Sequence, residues 1–330
     1  MPQTVEQRAH RWGLDIDPEF ISLLSQIQYH AHKRYREYQP AFGPPHSDFM
    51  ARLEDWLDGA PDDDQRTLFR IVPRLFFISS LEFASLHRSA FRGPVMRWLI
   101  ESLGISLDNP GLSAEISGAV AHTWFCAITD SMQIAAFYHY NHIEGNDLRP
   151  DWRTLRCLGD RDRIAQFMAT NGLTRIVLLE DFIGSGSQMS RAVEFAAQLP
   201  NSPQVLVVPL VISPAGLEVG RQMGATYRNV KFDPVLELQK EVFVCEAPSH
   251  GEEGIVTLIR DLVVRLYETV SGGVPADDNV KPYGPFGWGI SKPKYGSLLV
   301  MYTNCPDNTL PIIHHGSATW KALFPRSSRI

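Results

Sequence analysis

Cysteine is scarce in this sequence and never closely paired: Cys126, Cys157, Cys245 and Cys305 are spread along 330 residues. A zinc ribbon or a dithiol redox motif needs two cysteines a few positions apart, so neither is expected, and the four are read as separate reduced thiols. Long apolar runs are also missing. The stretches at 75–78 and 205–212 fall far short of the roughly 20 residues that a membrane-spanning helix needs. Positive charge is not in excess: 31 Lys and Arg against 37 Asp and Glu leave a net charge of −6. That balance argues against a chain that coats nucleic acid by itself, although it leaves room for a local basic patch. The opening Met-Pro-Gln-Thr-Val-Glu has no basic segment leading into an apolar one, so a cytoplasmic protein with no membrane partner is expected. No repeat of solenoid period is present.

What remains is an ordinary globular composition, 44% hydrophobic and 21% charged. The first hundred residues read mainly as helix. Asp17-Pro18 opens one, with Phe20, Leu23, Leu24 and Ile27 at helical spacing. Ser47 is the expected cap of a second helix, which carries Phe49, Leu53, Trp56 and Leu57 and is closed by Gly59. Asp62, Asp63 and Asp64 start another, placing negative charge where the helix dipole favours it. Residues 68–87 are expected to stay mostly helical with a kink near Pro73. Pro94 is expected in the first turn of a helix that runs to Leu103, with Gly104 just past its end.

From about residue 114 the pattern changes. Strand-like runs at 124–128, 176–179, 205–212 and 225–230 alternate with helical patterns at 132–142, 187–199, from Ser213-Pro214 to near Gly224, and 255–270. Such alternation predicts βαβ units and an α/β fold with a parallel sheet flanked by helices. The expected organisation is a helical N-terminal region, 1–113, followed by an α/β domain, 114–330. The last part of that domain, about 275–330, is rich in Gly, Pro and aromatics.

The chemistry is concentrated in Ile176-Val-Leu-Leu-Glu180-Asp181-Phe-Ile-Gly184-Ser185-Gly186-Ser187-Gln188. An apolar strand delivers two adjacent acids, and a loop of small residues then opens a helix. Adjacent carboxylates can accept hydrogen bonds from sugar hydroxyls. Small residues at a helix N-terminus let backbone N–H groups close around a phosphate, with the serine hydroxyls as further donors. Thr129-Asp130-Ser131, which follows the 124–128 strand, is a candidate second anion loop, although the same residues are ordinary helix caps. Gly184-x-Gly186 also occurs in dinucleotide-binding turns. Met189 and the preceding acids disfavour that reading, as does Ser213-Pro214 where an acid for a ribose would follow the next strand.

Residues 176–189 resemble the phosphoribosyl diphosphate (PRPP) signature of type I phosphoribosyltransferases. The likeness rests on the Glu-Asp pair, the spacer Phe182-Ile183, Gly186 and Met189. It implies a type I phosphoribosyltransferase-like sheet. In that reading Glu180 and Asp181 are the catalytic acids on the ribose, Gly184 to Gln188 are the 5′-phosphate loop, and Thr129, Asp130 and Ser131 hold the diphosphate. Mg2+ arrives with PRPP and is met by Asp181. The sequence departs at Gly184, where purine-salvage enzymes carry an Asp near the base, and at Gln188, where Thr or Ser is usual.

The wider layout is similar to phosphoribosyltransferase-like proteins of bacterial conflict and anti-phage systems, sometimes found beside retrons. The likeness rests on Asn304-Cys-Pro306-Asp-Asn308-Thr309-Leu310-Pro311, Trp320 and Leu323-Phe324-Pro325-Arg326. It implies a defence effector or its regulator. The implied partners are PRPP or a nucleotide, a reverse transcriptase with its single-stranded DNA or another defence protein, and further copies of the chain. Tyr283, Phe286 and Trp288 among glycines suit a hood with aromatic faces for a base, and Asn304 and Asn308 either read base edges or cap turns. His314-His315 has no acid or Cys at ligand-like spacing, and the Lys33, Arg34, Arg36 run reads as a solvated helix face. Three functions stay open: PRPP-dependent glycosyl transfer, nucleotide or PRPP sensing without turnover, and docking within a nucleic-acid-containing complex.

Overall fold

The computed structural model describes residues 3–41, 48–144, 160–273, 283–288 and 295–327. In chain order the strands among them are β1 (Phe76–Ile78), β2 (Thr123–Ala127), β3 (Arg175–Ile183), β4 (Gln204–Ile212), β5 (Val230–Phe232), β6 (Leu236–Glu237), β7 (Phe243–Cys245), β8 (Tyr283–Gly284), β9 (Gly287–Trp288), β10 (Tyr295–Ser297) and β11 (Leu299–Met301). The chain divides into two compact units, one made of Met1–Ser80 with Lys240–Ile330, the other of Leu81–Gln239. The sequence boundary at residue 113 falls inside the second unit, at the helix Leu112–Ala121.

The first unit joins distant parts of the chain in one apolar core, with Leu53, Trp56, Phe69, Leu262, Trp320 and Phe324 among its members. The indole N–H groups of Trp56 and Trp320 both donate to the Ile312 carbonyl, at 2.7 and 3.1 Å. The helix Pro18–Lys33 is capped by Asp17, as its sequence predicts. Asp48 caps the helix Phe49–Asp58 by accepting from the Met50 N–H; the expected cap, Ser47, lies outside the described residues. The stretch 68–87 is not one kinked helix. The helix Asp62–Ile71 ends before Pro73, and β1 follows, paired in parallel with β11. Pro73 lacks the N–H that a continuing helix would use, and Phe76–Ile78 gains a ladder partner more than 200 residues away.

The second unit is built around a parallel sheet in the order β2-β3-β4-β5, with β6 beside β4. Continuous apolar strands on β3 and β4 are what a sheet covered on both faces requires. Ile176, Leu178, Val205 and Val207 pack with Met189, Ala192 and Val193 of the helix Ser187–Ala197 and with Ile164 and Met168 of the helix Arg161–Thr170. Pro94 does not start a helix. It sits in a π-helical turn, Phe91–Val95, between the helices Ser80–Ala90 and Met96–Leu103, where a widened turn accommodates its missing N–H. Gly104 closes the second of these helices in the left-handed conformation at φ 62°, as expected. Among the described residues no helix is long and apolar enough to cross a membrane.

Candidate functional site

β3 is longer than its sequence suggests. It runs from Arg175 to Ile183, so the acid pair lies within the strand and not beyond its end. Phe182 and Ile183 continue the pairing, opposite Val211 and Ile212 of β4, while Glu180 faces Pro209. The strands are parallel, so the C-terminal ends of β2, β3 and β4 share one edge of the sheet, where ligands of open α/β sheets bind.

At that edge the structure brings Thr129 and Ser131 onto the acid pair. Ile128 extends the β2–β3 ladder by donating to the Leu179 carbonyl at 2.8 Å, and the chain then turns across the acids. Glu180 Oε2 accepts from the Thr129 N–H at 2.7 Å and Oε1 from the Thr129 hydroxyl at 2.5 Å. Ser131 Oγ lies 2.6 Å from Glu180 Oε1 and 2.8 Å from Asp181 Oδ1, which also accepts from the Phe182 N–H at 2.7 Å. Asp130, between them, is exposed.

Both acids are buried, Glu180 at 3% and Asp181 at 2% exposure. Burial, and then the charge of Asp181 beside it, hold the Glu180 carboxyl well above the usual carboxylate range, although the Ser131 and Thr129 hydroxyls pull the other way. Burial thus favours the protonated form of Glu180, in which the carboxyl can donate as well as accept. The donor set is all oxygen, from carboxyls and hydroxyls, the class that magnesium takes. Among the described residues no group of three or more His, Cys, Asp or Glu is placed to hold a metal.

The small-residue loop follows β3 directly. Gly186 adopts φ 78°, a left-handed conformation that strains other residues, and caps the helix Ser187–Ala197. Ser185 and Ser187 are exposed, with their hydroxyls 3.1 Å apart, and Gln188 is exposed beside them. These residues leave the helix N-terminus open to an anion.

Two residues that the sequence did not single out for the site hold this loop in place. Ser213 Oγ donates to the Gly184 carbonyl at 2.7 Å and accepts from the Gly216 N–H at 3.1 Å, capping the helix Pro214–Thr226 as it ties down the loop. Gly216 permits close approach: a Cβ there would lie 2.8 Å from both Gly184 O and Ile183 Cγ2. The dipeptide Ser213-Pro214 is legible as a helix start, but its second role depends on a partner 29 residues away.

The C-terminal candidates lie in the first unit, where Phe286 and Asn304 serve its packing. Phe286 is buried at 3% exposure in the core, so it offers no open face to a base. Asn304 is buried as well: its side-chain amide donates to the Ser327 carbonyl, and its Oδ1 accepts from the Cys305 and Ser327 N–H groups. The Asn308 carbonyl accepts from the Ser297 N–H at 2.6 Å. These contacts correct the expectation that Phe286 shows a face to a base, and of the two readings of Asn304 they favour the one in which it caps turns. Tyr283 and Trp288 belong to the β8–β9 pair, and their side chains lie outside the description, as do 275–282 of the expected hood and Cys157. His314 is buried against the Thr309 carbonyl, 3.1 Å from Nε2.

A model of the PRTase-CE family, a phosphoribosyltransferase-like family, matches residues 53–326. No curated protein and no solved structure matches the chain.

Proposed function

Because this chain belongs to the PRTase-CE family, we propose that it binds PRPP as its magnesium complex at the C-terminal edge of β2–β4 and transfers the ribose 5-phosphate group. The observation that carries this reading is the convergence of the Thr129–Ser131 turn and the acid pair, next to a loop of small residues with Gly186 at positive φ. In it, Glu180 and Asp181 hold the ribose hydroxyls, the N–H groups and hydroxyls of 184–188 hold the 5′-phosphate, and Thr129, Asp130 and Ser131 face the diphosphate. Magnesium, brought with the substrate, neutralises charge on the departing diphosphate. A nitrogen nucleophile forms a bond to C1 as the C1–O bond to diphosphate breaks; the electron pair leaves with the diphosphate, and the nucleophile sheds its proton. Fixed donors around the phosphates supply positioning and charge stabilisation. The C-terminal resemblance supports reading the protein as a cytoplasmic effector of bacterial anti-phage defence.

A second reading, a sensor of PRPP or a nucleotide without turnover, draws on one observation: Gly184 has no side chain with which to handle an acceptor's proton. One assay separates the two. The protein is incubated with Mg-PRPP and a pool of bases, nucleotides and nucleic acid, and diphosphate release is followed. Release that is lost in Asp181→Ala supports transfer. Thermal stabilisation by PRPP without release supports sensing. Neither signal would remove the PRPP reading.

A further inference from the structure

The acid pair is already engaged by two hydroxyls. Thr129 Oγ1 and Ser131 Oγ lie 2.6 Å apart, a separation close to that of the two oxygens of a vicinal diol. Both face the same pair of carboxyls: the first bonds Glu180 Oε1 at 2.5 Å, and the second lies 2.6 Å from that oxygen and 2.8 Å from Asp181 Oδ1. The two hydroxyls come from a turn in which Thr129 and Ser131 are half-buried and Asp130 is exposed, so the stand-in is carried on a surface loop and not on the core.

We infer that Thr129 and Ser131 hold the place of the 2′- and 3′-hydroxyls of a ribose, so that the site admits a sugar phosphate by exchange against this turn and selects one that carries both hydroxyls. The inference rests on the ribose-phosphate reading of the site and adds to it a resting state that competes with the ligand, with ribo-over-deoxyribo preference as its readout.

The physical argument is one of hydrogen-bond replacement. The carboxyl oxygens that Thr129 and Ser131 satisfy are buried, and a buried acceptor left without a donor is costly. A ribose replaces both hydroxyls. A 2-deoxyribose supplies only one of the two donors, the kind of mismatch that polar sites reject strongly. Because the turn occupies the acids, the apparent affinity of wild type is reduced by the fraction of molecules in which it has moved away. Removing the hydroxyls weakens the resting contact without removing anything that a ribose uses. The Thr129 N–H, which donates to Glu180 Oε2 at 2.7 Å in the resting turn, is unchanged in every variant.

The probes are ribose 5-phosphate and 2-deoxyribose 5-phosphate. Both lack the diphosphate, so any role of the turn in holding diphosphate does not enter. Binding of each is measured by titration calorimetry to wild type, Ser131→Ala and the double variant Thr129→Val/Ser131→Ala. Wild type is expected to prefer ribose 5-phosphate by roughly tenfold or more. Both variants are expected to bind it more tightly than wild type, the double variant by about tenfold, and binding by a variant where wild type shows none counts as tightening. Equal wild-type affinity for the two sugars, or variants that bind ribose 5-phosphate no tighter than wild type, overturns the inference and leaves the ribose-phosphate reading standing. Should no protein bind either sugar, that reading falls and the inference with it. If a circular dichroism melt shows the double variant unfolded, Ser131→Ala, a one-atom deletion on a half-buried turn, decides alone.

Discussion

Ser213 and Gly184 are joined by a hydroxyl-to-carbonyl hydrogen bond of 2.7 Å, which fixes the end of one strand's loop to the start of the next strand's helix. Ser213 is fully buried, and its oxygen also accepts from the Gly216 N–H. Ser213→Ala removes both bonds. It is expected to lower stability by about 1–2 kcal/mol in denaturant titrations and to weaken ribose 5-phosphate binding, while Ser213→Thr, which keeps the hydroxyl, restores much of both. Full binding by the alanine variant would show that the bond does not position the loop.

Gly216 and Gly118 make a matched pair of helical glycines. A Cβ at Gly216 meets Gly184 O and Ile183 Cγ2 at 2.8 Å, whereas one at Gly118 meets nothing within 4 Å. Gly216→Ala should cost about 1–3 kcal/mol and shift the phosphate loop. Gly118→Ala, on the exposed side of the helix Leu112–Ala121, should gain about 0.5–1 kcal/mol from helix propensity and a less flexible unfolded chain. Thermal melts of the two variants check the contrast in sign.

His87 is fully buried among Phe83, Phe137 and Tyr140, and burial lowers its imidazole from 6.5 to about 4. Between these values the unfolded chain binds the proton and the folded chain does not, so stability falls as pH drops from about 6.5 to about 4. The loss attributable to this residue is at most about 3 kcal/mol. His87→Leu should remove that dependence, which is read from the difference between the wild-type and variant stability curves.

Glu180 contributes with the opposite slope. Its folded carboxyl keeps a proton that the unfolded chain releases above the ordinary 4.5. Stability from this group is present at low pH and is lost as pH rises above that value, with a slope approaching about 1.4 kcal/mol per unit. Glu180→Gln is uncharged at every pH and can keep the contacts to Thr129 and Ser131, so it should remove this fall above 4.5. Just above 4.5 the Glu180 and His87 effects oppose each other. Difference curves from the two single variants separate them.

The acid pair and its loop were legible because their signal is local: an apolar run, two acids, small residues and a helix pattern, all within 13 positions. The parallel sheet was legible from alternation. The true length of β3 was not, because Phe182 and Ile183 read equally well as a spacer until β4 is seen beside them. Nor was β1, whose Phe-Phe-Ile lies within helical periodicity and becomes a strand only through Leu299–Met301. Ser213, Gly216 and the bonds from Thr129 to Glu180 escape for the same reason: each acts across tens of residues. Phe286 read as an open aromatic face and Asn304 as either a base reader or a turn cap, because glycine-rich aromatic segments carry no mark of which side is buried.

The first unit is closed by segments from the two sides of residues 81–239, which gives the protein an order of assembly. During synthesis the second unit has all of its strands once residue 237 has emerged, whereas the helices before residue 80 still lack the Leu262, Ile312, Trp320 and Phe324 surfaces that complete their core. The nascent chain therefore holds the apolar faces around Leu53, Trp56 and Phe69 exposed until the last stretch arrives, a period in which such faces invite chaperones or aggregation. A chain cut near residue 240 would retain the parallel sheet β2–β6 yet leave those helices without a core.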